Sequence, residues 1–375
     1  MKTVSVVIPT LNAGRYLPDL LQALHRQRRA PLEVVIVDSG SSDATPEVAA
    51  ADEWVRWIEI EHFTHGRARN LGAREARGDL VAFLTQDALP ADACWLEELV
   101  RPLEAKEAAA VYGRQVPRDD ATPMERYYLA MHFPPTNNPP KQYPKPSSPT
   151  DGRVPTDGEP ADASRLRPIP LCRSPFADRG RPCDGGSVRE SEPTDGREGS
   201  VPTDGVPTDG REPADGEARG LTHRDIFFSN VSSAVDRQIL LKHPFDEAVI
   251  MSEDQQLARD LLLAGYAVVY APRSVVVHSH RYPLKVVFQR YLDSAFAVTE
   301  LLPRHGLVQT VAAGCRYVAG ELGFMLRRHP LWLPYYLVYN VVKTAGVLAG
   351  HAARHLPPRL LRRLSLHAYH WERRE

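Results

Sequence analysis

Short β-branched apolar runs alternate with stretches of helical spacing along the first ~115 residues. Ser5-Val6-Val7-Ile8 predicts a strand that Pro9 ends. Leu17, Leu20, Leu21 and Leu24 share one helical face, with Asn12 as the expected N-cap. Glu33-Val34-Val35-Ile36-Val37 and residues 80–85 read as buried strands, and each run stops at an acid: Asp38 and, after Gln86, Asp87. Residues 55–60 and 109–112 give further strands, and 67–76 and 95–103 give helices. Repeated strand–helix units predict an α/β fold, a mainly parallel sheet with helices on both faces. In such sheets ligands bind beyond the carboxyl ends of the strands, where both aspartates would stand.

From 134 to 220 the periodicity is lost. Pro149-Thr150-Asp151-Gly152 recurs at 155, 193, 202 and 207. These units lack an apolar face, so the stretch is expected to be a disordered insertion. Patterning resumes at Asp225, with Ile226-Phe227-Phe228 read as a strand. A helix over 254–264 is closed by Gly265, strands follow at 266–270 and 275–277, and Pro283 opens another helix. Residues 331–342 are apolar and aromatic, but Pro334, Asn340 and Lys343 interrupt the run. With Arg327, Arg328, Arg354, Arg359, Arg362 and Arg363 around it, this segment fits an interfacial or hairpin helix at a membrane best, an ordinary packed helix next and a spanning helix least. The expected division is 1–133 and 221–305 as two halves of one domain, 134–220 as the insertion, and 306–375 as a basic, amphipathic helical tail.

Charge is balanced, 46 basic against 47 acidic residues, which gives no reason to expect a nucleic-acid partner. Four scattered cysteines without a CxxC pair argue against a disulfide framework or zinc site and fit a reducing compartment. The first strand begins near Val4, with no apolar signal segment before it. These features predict a cytoplasmic protein, peripheral on the inner face of the cell membrane. Phosphate-loop, dinucleotide-fingerprint, nucleophile-elbow and HExxH motifs are absent, which removes support for kinase, dehydrogenase, hydrolase and zinc-protease readings.

Five motifs occur in order: Ser5-Val6-Val7-Ile8-Pro9-Thr10-Leu11-Asn12, Asp38-Ser39-Gly40-Ser41-Ser42-Asp43, Arg69-Asn70-Leu71-Gly72, Phe83-Leu84-Thr85-Gln86-Asp87 and Glu253-Asp254. Together they resemble the inverting family 2 glycosyltransferases of the GT-A fold. Phe63-Thr64-His65-Gly66, Thr85-Gln86-Asp87 and Asn230 with Val275-Val276-Val277-His278-Ser279-His280 resemble the rhamnosyltransferase-like branch. The resemblance covers roughly 3–116 and 225–300 and is broken by the repeat insertion.

It implies transfer of a sugar, rhamnose or another hexose, from a dTDP- or UDP-sugar to a glycan or lipid-linked acceptor. Asp87 would be a ligand for a divalent cation, Mn2+ or Mg2+, in a DxD-like motif whose first acid is replaced by Thr85. His278 is the expected imidazole ligand, and a mixed Asp/His shell favours Mn2+. For His280 the ligand and structural readings balance. Asp38 would meet the base, with the turn cap as its alternative. Pro9, Thr10 and Asn12 would form the loop beneath the base, Arg69 and Asn70 would approach the diphosphate, and Gln86 and Asn230 would line the donor site. Asp254 is the expected base for direct displacement, supported by Glu253. A helix-start acid pair also complements the helix dipole. The alternative class is a non-catalytic nucleotide-sugar-binding or scaffold protein of a glycan-assembly complex.

Overall fold

The structure, a computed structural model, describes residues 1–136, 221–302 and 307–372. The Pro/Asp/Gly repeats, for which disorder was expected, lie outside the described residues.

The chain begins with three strand–helix units: β1 (Val4–Thr10), α1 (Leu17–His25), β2 (Glu33–Asp38), α2 (Thr45–Ala50), β3 (Val55–Glu59) and α3 (His65–Glu75). β4 (Leu80–Leu84), β5 (Leu89–Pro90), α4 (Trp95–Glu104), β6 (Ala110–Val116) and α5 (Pro123–His132) follow. After the repeats come β7 (Ser232–Asp236), α6 (Arg237–Lys242), α7 (Glu253–Leu263) and β8 (Val268–Val277). Helices close the chain: α8 (Leu284–Leu301), α9 (Leu307–Arg328), α10 (Leu333–Ala352), α11 (Pro358–Leu364) and α12 (Ala368–Glu372).

The eight strands form one sheet in the order β3-β2-β1-β4-β7-β6-β8-β5. Pairings within β3-β2-β1-β4 and between β6 and β8 are parallel. β7 runs antiparallel to β4 and β6, and β5 antiparallel to β8. The expected mainly parallel sheet is therefore a mixed one. The reason is the place of β7, which is inserted between β4 and β6 and runs against both. Consequently the carboxyl ends of β1, β2, β4, β6 and β8 share an edge with the amino end of β7.

Period-2 alternation sorts the side chains. Val4, Val6, Ile8, Val34 and Ile36 face a core with α1 and α4, whereas Val7, Val35 and Val37 face one with α3 and α7. Burial of each such side chain contributes about 1.5–3 kcal/mol. Gly72 lets α3 close onto β1: a Cβ there would lie 2.3 Å from Val7 Cγ1.

Local expectations fail at three points. Ile226-Phe227-Phe228 is not a strand; Ile226 and Phe228 are buried and the strand begins at Ser232. The strands expected at 266–270 and 275–277 are one strand, β8, which starts at Val268 and whose register against β6 shifts between Gly113 and Arg114. Asn12 does not cap α1, whose N-cap is Tyr16; Asn12 has φ 51° and its Oδ1 accepts from the Ser42 backbone. Cys315 is free and exposed. No helix among the described residues is long and apolar enough to cross a membrane.

Candidate active site

Thr10, Asp38, Gln86, Asp87, Gln115, Asn230 and His278 all lie at the shared strand-end edge. Three groups of side chains gather there.

The first is a laced pair of loops after β1 and β2. The Asp38 carboxylate is 1% exposed and accepts four hydrogen bonds. Oδ1 takes Thr10 Oγ1 at 2.8 Å and Ser41 Oγ at 2.6 Å; Oδ2 takes the Gly40 and Ser41 backbone N–H at 2.9 and 2.7 Å. These bonds use the approximately four acceptor positions of a carboxylate. The observed geometry is thus the turn cap, and a base contact requires one of the four bonds to open. Ala13 and Gly14 donate to Thr45 Oγ1 and Asp43 Oδ2, which ties the Pro9–Thr10–Asn12 loop to the same turn. Gln86 holds it from the other side: its Oε1 accepts Leu11 N–H at 2.8 Å and its Nε2 donates to Leu11 O at 3.1 Å.

The second group surrounds Asp87. His278 Nε2 and His280 Nδ1 each lie 3.6 Å from an Asp87 carboxylate oxygen. One ligand atom from each of the three residues lies within 4.8 Å of the others. These separations exceed a hydrogen bond and suit ligands sharing a cation, since donors about 2.1 Å from an ion stand about 3–4 Å apart. His278 Nδ1 contacts Gln115 Oε1 at 2.9 Å, and Gln115 donates onward to Ser229 Oγ. That partner orients the imidazole with Nε2 toward Asp87, the support expected behind a metal-binding histidine. Burial pushes His278 down to about 3, opposed by the Asp87 charge and helped by His280, Arg118 and Arg290. The imidazole stays neutral and keeps its lone pair. The trio therefore fits a divalent cation.

A cleft of about 240 Å³ opens beside His280, lined by Arg15, Tyr16, Arg118, Arg281 and Tyr282 among others. Arg118 donates to the Asp87 carbonyl and its guanidinium lies over the Tyr16 ring. Arg290, on α8, stacks on Tyr282 with 4.7 Å to the ring centroid. Among the described residues it makes no hydrogen bond or ion pair, yet its charge depresses both His278 and His280.

The third group is the acid pair opening α7. Ser252, the N-cap, is left-handed at φ 68°, a conformation that costs a non-glycine residue about 1–3 kcal/mol. It turns the two acids into different surroundings. Glu253 is buried and pairs with Arg69 at 2.9 Å. Its carboxyl is held low by Arg69 and His65 against the opposing effect of burial. Asp254 is half-buried, and burial with the neighbouring Glu253 charge lifts it to about 7. Asn230 touches both, donating its backbone N–H to Asp254 Oδ2 at 3.3 Å and its amide to Glu253 Oε1 at 3.5 Å.

The expectation that Arg69 and Asn70 approach a diphosphate is corrected here. Arg69 is 5% exposed and committed to Glu253 and the His65 carbonyl. Asn70 bonds Phe245 N, Phe245 O and Glu247. Both residues fix the 245–253 segment. Sequence reasoning missed Gln115, Arg118 and Arg290. The first two flank the end of β6, where polar residues interrupt a buried run; Arg290 gives no local signal, since its relevance depends on how α8 docks.

Residues 5–155 match the family model described as Glycosyl transferase family 2. The O-antigen chain rhamnosyltransferase RfbN of Salmonella typhimurium is 28% identical over 373 residues, 98% of this chain and 96% of that protein. The O-antigen chain rhamnosyltransferase WbaN of Salmonella anatum is 26% identical over 377 residues, 99% of this chain and 96% of that protein. Among solved structures, the mannosyltransferase PcManGT from Pyrobaculum calidifontis, in complex with GDP-Man and Mn2+, superposes with a TM-score of 0.50. That likeness covers 94% of this chain and 86% of the other at 17% identity, which shows the fold alone. Residues 5–155 thus match the family 2 glycosyltransferase model, the fold is of the GT-A type, and the chain is similar over nearly its whole length to O-antigen rhamnosyltransferases.

Proposed function

We propose that this protein is an inverting, metal-dependent glycosyltransferase that moves a hexose, rhamnose by likeness to its relatives, from a dTDP- or UDP-sugar onto a glycan or lipid-linked acceptor. The observation that carries the reading is the placement, at one sheet edge, of a cation-fitting Asp/His/His trio and a carboxylate lifted to about 7.

Asp87, His278 and His280 would hold the cation, Mn2+ or Mg2+; when bound, it neutralises the donor diphosphate and improves the leaving group. Arg290 and Arg118 offer guanidinium groups beside the trio, able to meet diphosphate oxygens in bidentate fashion. The loops fixed by Asp38, Thr10, Asn12, Pro9 and Gln86 form the floor for the base. Asn230 ties the donor edge to the acid pair.

Asp254 receives the proton of the acceptor hydroxyl as that oxygen attacks the anomeric carbon from the face opposite the diphosphate. One displacement inverts the configuration. A base with a pKa near the working pH is ionised often enough to act and basic enough to take the proton. Glu253, held as a carboxylate by its ion pair with Arg69, stays charged and raises its neighbour. The acceptor class places the enzyme peripherally at the cytoplasmic face of a membrane.

The test is Asp254→Asn, purified and supplied with dTDP- and UDP-sugars. Transfer is expected to fall about a hundredfold to ten-thousandfold while donor binding persists. Near-normal transfer by the variant would refute the assignment.

A further inference from the structure

α10 carries its polarity inside out. Lys343 on its inner face is buried, 3.4 Å from the carboxylate of Glu321 on α9, with the Tyr317 ring 4.6 Å from its Nζ. Gly346 and Gly350 press the same face onto α8: Cβ atoms there would lie 2.6 Å from Phe288 O and 2.4 Å from Leu292 O. Those contacts fix the helix rotation. The opposite face is apolar and open, with Leu337 60%, Val338 50%, Val341 71% and Leu348 46% exposed. Leu331, in the turn before α10, is 94% exposed. A helix that buries a charge pair and shows water an aliphatic stripe has the wrong face outward for an aqueous surface.

We propose that the outer face of α10 lies in the interface of an anionic lipid bilayer. The inference names the partner of the peripheral placement proposed above and rests on that placement, not on the transfer chemistry. Arg327 and Arg328 stand exposed at the end of α9, next to the turn, and Arg359, Arg362 and Arg363 stand exposed on α11. Residues 307–372 hold eight Lys or Arg and two Glu, of which Lys343 and Glu321 pair with each other. Headgroup phosphates neutralise such a rim while aliphatic side chains enter the acyl boundary. A second copy on this face would bring arginine rims together, a like-charge arrangement that opposes association. The arrangement lies on the surface and does not span, in keeping with the absence of any spanning helix among the described residues.

The experiment is flotation of the full chain with vesicles of phosphatidylcholine alone and of phosphatidylcholine with phosphatidylglycerol. Binding to the anionic vesicles is expected to be about tenfold greater or more and to weaken with salt. The double variant Leu337→Glu/Val341→Glu is expected to stay unbound, with unchanged circular dichroism and unchanged donor binding. A variant retaining only Arg359→Ser/Arg362→Ser/Arg363→Ser is expected to lose the preference for anionic lipid. Three outcomes would overturn the proposal: wild-type protein that ignores anionic vesicles, apolar-face variants that float like wild type, or a wild-type dimer that Leu337→Glu/Val341→Glu dissolves. Transfer to a water-soluble acceptor, measured on the same proteins, reports separately on the catalytic reading.

Discussion

Asp38 and Asp87 both end buried strands at the same sheet edge, yet their surroundings are opposite. Three donors from its own loop and the Thr10 hydroxyl at the end of β1 saturate Asp38. Asp87 faces two imidazoles at 3.6 Å, beyond hydrogen-bonding distance. A carboxylate with every acceptor position filled maintains local geometry; one whose neighbours are themselves ligands is arranged for something placed between them. Position at a strand end says where a ligand can bind, and unspent hydrogen-bonding capacity says which residue is open to meet it.

The largest expected effect separates the two directly. Asp87→Asn should lower transfer by about a hundredfold or more and remove any Mn2+-induced rise in melting temperature. Asp38→Asn should leave that Mn2+ response in place. Equal Mn2+ responses in wild type and Asp87→Asn would end the contrast.

Asp254 tests the same logic through stability. Its folded pKa, about 7, lies above the ordinary 3.8, so the folded state binds the proton more tightly than the unfolded one. Stability therefore falls as pH rises from about 4 through 7, by up to about 4 kcal/mol. Asp254→Asn should melt higher than wild type at pH 8 and equal to it at pH 4, while wild-type kcat/KM rises with pH through about 7. A pH-independent difference in melting would mean that the carboxyl is not raised.

The smallest effect sharpens the account of Asp38. Asp38→Asn leaves two of the loop donors facing an amide, and a loss of about 1–3 kcal/mol in unfolding free energy is expected, with donor affinity falling only through disorder of the loop. A large loss of affinity at unchanged stability would instead assign Asp38 to the base.

Much of this was legible from the chain. Apolar runs located most strands because β-branched residues buried on both faces leave an unbroken signature, and the acids that ended them marked the edge where the candidate site lies. The acid pair at Glu253 was visible because a helix start is a local event. β7 was displaced because Ile226, Phe227 and Phe228 mimic a strand: Ile226 and Phe228 are buried and Phe227 half-buried, by packing against Tyr112 and the core, without any ladder. Arg69 was misassigned because a helix-start arginine looks alike whether it faces a ligand or, as here, an acid 184 positions away. Arg290 and Gln115 were invisible for the same reason, since their meaning depends on which element lies across from them.

The reversed direction of β7 bears on how this enzyme accommodates extra chain. A strand running against its neighbours offers its beginning where they offer their ends, so the polypeptide passes Ser229 and Asn230 before entering the sheet. Both shores of the interruption are moored: Tyr270 donates to the Pro134 carbonyl, and Leu221 packs beside Ile226 and Leu301. Closure entropy grows only with the logarithm of length, about 0.6 kcal/mol for each doubling. Such a junction works as an insertion port. Residues can be added there at little thermodynamic cost, because the described chain on either side is already anchored.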